Sequence, residues 1–90
     1  MKRVRLSGQY KKDFKKYRYQ LEKVRKLLNV VRMLECEIDI PAEYKPHKLT
    51  GNYKDCMECH IESDFLLIWF DPNRDEVELL RLGTHSELFK

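Results

Sequence analysis

The sequence predicts an α+β domain, with two N-terminal helices packed on one face of an antiparallel sheet. Three observations predict it. Apolar side chains recur at helical spacing from Tyr10 to Leu34. Closely spaced apolar runs fill the stretch from Cys59 to Leu82, broken by turn-forming residues. A short run with alternating charged and apolar side chains, residues 2–6, precedes both. A chain of 90 residues makes one domain, 1–90, with a thin two-layer core.

The alternation of Lys2, Val4 and Leu6 with Arg3 and Arg5 predicts the first strand. Ser7 can cap a helix starting at Gly8 or Gln9, because its hydroxyl can accept from an orphan backbone N–H. Tyr10, Phe14, Tyr17 and Leu21 form one apolar stripe, and Leu21, Val24, Leu27, Leu28, Val31 and Leu34 form a second. Arg18-Tyr19-Gln20 marks the break between two helices, and both stripes are expected to face the core. Residues 37–50, punctuated by Pro41 and Pro46, are expected to link the layers. Strands are expected at about 53–61, 65–70 and 76–82, with Gly51-Asn52 and Asp71-Pro72-Asn73-Arg74-Asp75 as turns.

Composition excludes several classes. With 42% apolar and 37% charged residues the chain is globular rather than disordered. No apolar run reaches the ~18 residues of a membrane span. Met1-Lys2-Arg3-Val4-Arg5-Leu6 lacks the apolar core of a secretory signal, so no membrane partner and a cytoplasmic address are expected. The three cysteines, Cys36, Cys56 and Cys59, are then expected to be free thiols.

The net charge of +3 hides an asymmetry. Residues 1–32 carry twelve Lys and Arg against Asp13 and Glu22, and the remainder is net acidic. Lys11, Lys12, Lys15, Lys16 and Arg18 lie densest, and such a block suits a polyanion partner.

One local motif is misleading. Cys56-Met57-Glu58-Cys59-His60 matches the C-x-x-C-H haem attachment pattern. It falls in an expected strand, where Cys56 and Cys59 would point to opposite faces, and the core is too small for haem. A lone C-x-x-C is also a weak zinc signature. No metal and no cofactor is therefore expected.

His47, His60 and His85 are all the histidines in the chain. The expected strands bring His60, Asp64, Arg81 and His85 toward one sheet surface, with His47 on the preceding loop. Histidine can give or take a proton near neutral pH, and arginine can bind phosphate.

Several stretches carry a family resemblance. They are Ser7-Gly8-Gln9-Tyr10-Lys11-Lys12-Asp13, Leu49-Thr50-Gly51-Asn52-Tyr53, Glu58-Cys59-His60-Ile61, Asp64-Phe65-Leu66-Leu67-Ile68 and above all Arg81-Leu82-Gly83-Thr84-His85-Ser86-Glu87-Leu88-Phe89. Together they resemble the YafQ branch of the RelE toxin superfamily, in order and over nearly the whole chain. The departures are Asp55 where glycine is usual, Met57 for arginine, Phe65 for tryptophan and Leu82 for threonine.

The resemblance implies a RelE-like microbial ribonuclease fold. It implies the toxin of a toxin–antitoxin pair, cutting messenger RNA on the ribosome and inhibited by a cognate antitoxin. It places functional residues at His47, His60, Asp64, Arg81, His85 and Phe89. His85 is then the general acid, Asp64 or His60 the base, and Arg81 the phosphate cation. His47 would orient the phosphate or share the proton work. Phe89, Lys48 and Lys54 are candidate substrate contacts, Phe89 by stacking on a base, unless it is a C-terminal residue tucked into the core. A non-catalytic nucleic-acid-binding or repressor module on the same fold is the alternative.

Overall fold

A five-stranded sheet in the order β1-β5-β4-β3-β2 forms one layer of the molecule. The computed structural model describes residues 1–89. The strands are β1 (Arg3–Leu6), β2 (His47–Lys48), β3 (Met57–Glu62), β4 (Phe65–Asn73) and β5 (Glu76–Gly83). The helices are α1 (Gly8–Lys15), α2 (Leu21–Glu35) and a short α3 (His85–Leu88).

The two long helices lie where the sequence puts them. The Ser7 hydroxyl accepts the Tyr10 N–H at 3.0 Å and so caps α1. Tyr10 and Tyr17 pack with Leu27 and Val30 against Cys59, Phe65, Leu67, Trp69, Val77, Leu79 and Leu82 of the sheet. Burying each large aliphatic side chain in that layer is worth roughly 1.5–3 kcal/mol. The buried stripe of α2 runs through Leu27 and Val30, whereas Leu21 and Leu28, expected in the core, are exposed. The 16–20 break re-phases α2, so the Tyr10–Tyr17 stripe does not continue through Leu21.

Four strands form an antiparallel meander, but the sheet is mixed. β1 runs parallel to β5, pairing Arg3 with Glu76 and Leu6 with Leu79. Alternation identified β1 as a strand but carried no information about its neighbour. β1 covers only the first half of β5. Beyond Leu79 the open edge is satisfied by α1: Ser7 Oγ donates to the Leu80 carbonyl, and Asp13 accepts the Leu82 N–H at 3.0 Å.

Three boundaries differ from expectation. The strand expected from residue 53 begins at Met57, because Gly51–Tyr53 is a 3-10 turn followed by Asp55 at φ 69°. That left-handed conformation explains why glycine suits position 55; aspartate is among the few residues that tolerate it. The expected linker contains a 3-10 turn, Ala42–Tyr44, and the two-residue strand β2. β4 runs on to Asn73, with Pro72 in an irregular stretch of its pairing with β5, a place where a missing N–H costs little.

Candidate active site

The face of the sheet away from α1 and α2 carries the candidate residues. Opposite partners on antiparallel strands share a face. His47 opposes Glu58, Glu58 opposes Ile68, and Ile68 opposes Arg81, which makes one row across four strands. His60 opposes Leu66, which opposes Gly83, in the next row. Leu66 and Ile68 sit in a second, smaller core with Cys56 and Leu88. They form an apolar floor between Glu58 and His60 on one side and Arg81 on the other. Cys56 and Cys59 lie in different cores, on opposite faces, as the reading against haem expected.

His85 is held from two directions. Thr84 caps α3 in a reciprocal capping box with Glu87, Thr84 N–H to Glu87 Oε1 being 2.9 Å. A Cβ on Gly83 would come within 2.5 Å of that same Glu87 oxygen, so any larger residue would have to push the Glu87 carboxylate out of the capping box. Asp64 lies in the two-residue turn between β3 and β4. Its Oδ1 accepts the His85 backbone N–H at 2.8 Å and lies 2.7 Å from His85 Nδ1. The backbone N–H first, and then the ring, hold the Asp64 carboxyl below its ordinary range. With Nδ1 engaged, Nε2 is the atom His85 has left for a substrate.

The other two histidines share one carboxylate. His47 Nε2 lies 3.2 Å and His60 Nε2 3.6 Å from Glu58 Oε1. Glu58 is 3% exposed, and its Oε2 has no hydrogen-bond partner among the described residues. The His47 and His60 rings are 6.1 Å apart, and His60 and His85 are 5.5 Å apart. The three imidazoles therefore form a continuous row, with the half-exposed Phe89 6.4 Å beyond His85. Leu88, not Phe89, fills the core at this end.

Arg81 is less free than a phosphate ligand read from sequence. Its Nε donates to Asp13 Oδ2 at 2.8 Å, a terminal nitrogen reaches Oδ1 at 3.4 Å, and the other donates to the Tyr53 hydroxyl at 3.0 Å. Asp13 is 2% exposed and also accepts from Leu82 N–H and Gln9. Burial pushes the Asp13 carboxyl up, but these donors outweigh it and the net shift is downward.

His47, His60, Asp64 and His85 are thus brought together, and Phe89 borders them. Arg81 joins through an anchored side chain. Lys48 does not join, since it follows His47 by one residue and takes the opposite face. Lys54 is exposed after the turn that supplies Tyr53. Lys11, Lys12, Lys15, Lys16 and Arg18 are all exposed, and Lys16 reaches to within 3.6 Å of Glu87 on α3. Sequence reasoning missed Glu58 and Asp13 as site residues. Glu58 carried a usable signal, its i, i+2 spacing to His60 on a strand. Asp13 carried none, being one of two acids in a basic block.

A sheet carrying a row of histidines, an Asp–His pair and an anchored arginine defines a class of small proteins equipped for acid–base chemistry on a phosphodiester. The comparisons give the family. Residues 2–90 match the profile of the bacterial toxin of type II toxin–antitoxin systems, YafQ, and the chain belongs to that family. It is 33% identical to the mRNA interferase toxin YafQ of Escherichia coli K12 over 87 residues, 96% of this chain and 94% of that one. The YafQ chain of the E. coli DinJ–YafQ complex superimposes with a TM-score of 0.86 at 30% identity, covering all of both chains. A metal-bound toxin from Helicobacter pylori gives 0.87 at 36% identity, covering 99% of this chain and all of that one.

Proposed function

We propose that this chain is the toxin of a type II toxin–antitoxin pair and an endoribonuclease that cuts messenger RNA. The observation that carries the activity is the row His47–His60–His85, with Asp64 fixing the last ring. In the proposed reaction a ribose 2′-oxygen attacks the adjacent phosphorus and the bond to the 5′-oxygen breaks. The products are a 2′,3′-cyclic phosphate and a free 5′-hydroxyl. The 2′-hydroxyl proton passes to His60, and protonated His85 gives its Nε2 proton to the leaving oxygen. Asp64 is a poor base, because His85 already donates to it and its carboxyl is held low. It orients His85 and offsets the positive charge on the protonated ring. Arg81 contacts the phosphate through its remaining N–H groups, and Phe89 stacks on a base. End-group analysis of digested RNA tests the reaction. RNA that is bound but uncut would favour the non-catalytic module.

The DinJ–YafQ complex supports a cognate antitoxin for this chain. Among the described residues no helix is long and apolar enough to cross a membrane. The cytoplasm, where ribosomes and messages are, is the proposed site of action.

Cleavage of free RNA is expected to survive a chelator, since the proton carriers supply the chemistry without a metal. The relative crystallised with a metal makes the experiment informative. Activity that vanishes with EDTA and returns with added metal would reject a metal-independent reaction. Free RNA is needed because chelation also dismantles ribosomes.

The exposed lysines of α1 are proposed to position the toxin on ribosomal RNA. Each phosphate contact gives roughly 0.7–0.9 log units of affinity change per tenfold change in salt. Changing Lys12, Lys15, Lys16 and Arg18 to glutamate is expected to weaken ribosome binding and flatten its salt dependence. Cleavage of a short free RNA should change far less. Weakened antitoxin binding with unchanged ribosome affinity would assign these lysines to the antitoxin instead.

A further inference from the structure

We infer that Tyr17, on the helix side of the sheet, is a positioning residue for His85, joining the two segments that hold that ring. This rests on the ribonuclease reading, in which His85 gives a proton to the leaving oxygen.

The helix that carries His85 cannot hold itself. α3 is four residues long, and a single helical turn is unstable without tertiary contacts. Leu88 pins its far end in the second core, and Asp64 takes the His85 backbone N–H. Its third anchor is Glu87. Glu87 Oε1 accepts the Thr84 N–H at 2.9 Å and also the Tyr17 hydroxyl. Glu87 Oε2 lies 3.6 Å from Lys16 Nζ. Two consecutive residues of the turn after α1 thus meet the two oxygens of one carboxylate. Their contributions are unequal. The Lys16 side chain is largely exposed, so its ion pair adds little. Tyr17 is buried, and a bond to a charged acceptor away from water is strong. Burial, and then Glu87, push the Tyr17 phenol above its ordinary range, so it remains a donor. Donation from Tyr17, and then from the Thr84 N–H, holds the Glu87 carboxyl below its own range.

The ring of Tyr17 reaches the other segment. It packs on Phe65 with centroids 4.8 Å apart and planes tilted by 53°. Phe65 is fully buried and follows Asp64 directly. One side chain therefore touches the residue beside Asp64 and the residue two beyond His85. A core position that needs only apolar burial does not need a hydroxyl, and a buried hydroxyl requires a partner. Here the partner is the residue that caps α3. Loss of the hydroxyl would leave the ring packed on Phe65 and release α3 on one side. Proton transfer is sensitive to such release, since a misplacement of about 1 Å can cost about 100-fold in rate.

Tyr17→Phe tests this, because it removes the hydroxyl and keeps the ring. On a short free RNA, kcat is expected to fall about tenfold, the order of one hydrogen bond, with KM unchanged. Amide exchange in the full chain should quicken about tenfold at Thr84 and His85 and stay unchanged at Leu67 and Val77 in the sheet. Val30→Ala controls for destabilisation alone, since Val30 is buried in the same core and has no polar group. The folded Val30→Ala protein should keep wild-type kcat. A folded Tyr17→Phe protein with wild-type kcat overturns the inference, and so does an equal loss in Val30→Ala. If Tyr17→Phe does not fold, Glu87→Ala removes the acceptor of the same bond, and full kcat in that variant overturns the inference. Exchange is measured without RNA. Faster exchange at Thr84 and His85 in a protein whose wild type never cuts RNA sinks the ribonuclease reading alone. Unchanged kcat and exchange in a protein that cuts sinks this inference alone.

Discussion

His85→Ala is expected to lose about 10²–10⁴-fold of RNA cleavage while keeping the fold, the usual range for removing a general acid or base. The ring is half exposed, and among the described residues it belongs to neither apolar core. Its backbone N–H to Asp64 and the Thr84–Glu87 capping box do not involve the imidazole, so α3 keeps its place. A folded His85→Ala protein that cuts at near-wild-type rate would remove His85 from the mechanism. Asp64→Asn separates proton transfer from positioning. The amide oxygen can still accept the Nδ1 hydrogen, but it no longer offsets a charge on the ring. Activity is therefore expected to fall less than in His85→Ala, and mostly where the rate requires a protonated ring.

The parts of this site legible in the sequence are those set by short-range periodicity. Glu58 and His60 are two apart on a strand, so they share a face in any sheet that keeps β3 regular. Asp64 and His85 stand at the ends of strands, and an antiparallel meander brings such ends together. What was not legible depends on pairing across the sheet. That β1 lies parallel to β5, and stops at Leu79, is a tertiary fact. Yet it leaves the open edge of β5 that Asp13 caps, and so decides that Arg81 is tethered. Leu21 and Leu28 failed as core residues for a related reason. A helical stripe fixes which residues align along a helix, but the packing partner decides which of them is covered.

Asp13→Ala is expected to cost about 3 kcal/mol of stability, far more than a change on the outer face of α1. It removes the acceptor of a mostly buried guanidinium and orphans the Leu82 N–H at once. In a domain of this size that corresponds to a fall in Tm of about 12–24 °C. The double variant Asp13→Leu with Arg81→Met should recover much of the loss, because the stranded charge is then gone. A pH series identifies the ionised carboxylate as the cause. The folded-state Asp13 carboxyl is held below its unfolded value of roughly 3.9. Its contribution is therefore fully present above that pH and is lost as pH falls through the lower, folded value. The stability gap between wild type and Asp13→Asn should accordingly be constant near neutrality and close below about pH 4. A gap that persists unchanged at pH 2, or an Asp13→Ala variant within 1 kcal/mol of wild type, would mean that the carboxylate is not what holds α1 to β5. The expected result ties the fold to the site, since the same carboxylate that closes the β5 edge also aims Arg81 across the sheet toward Tyr53.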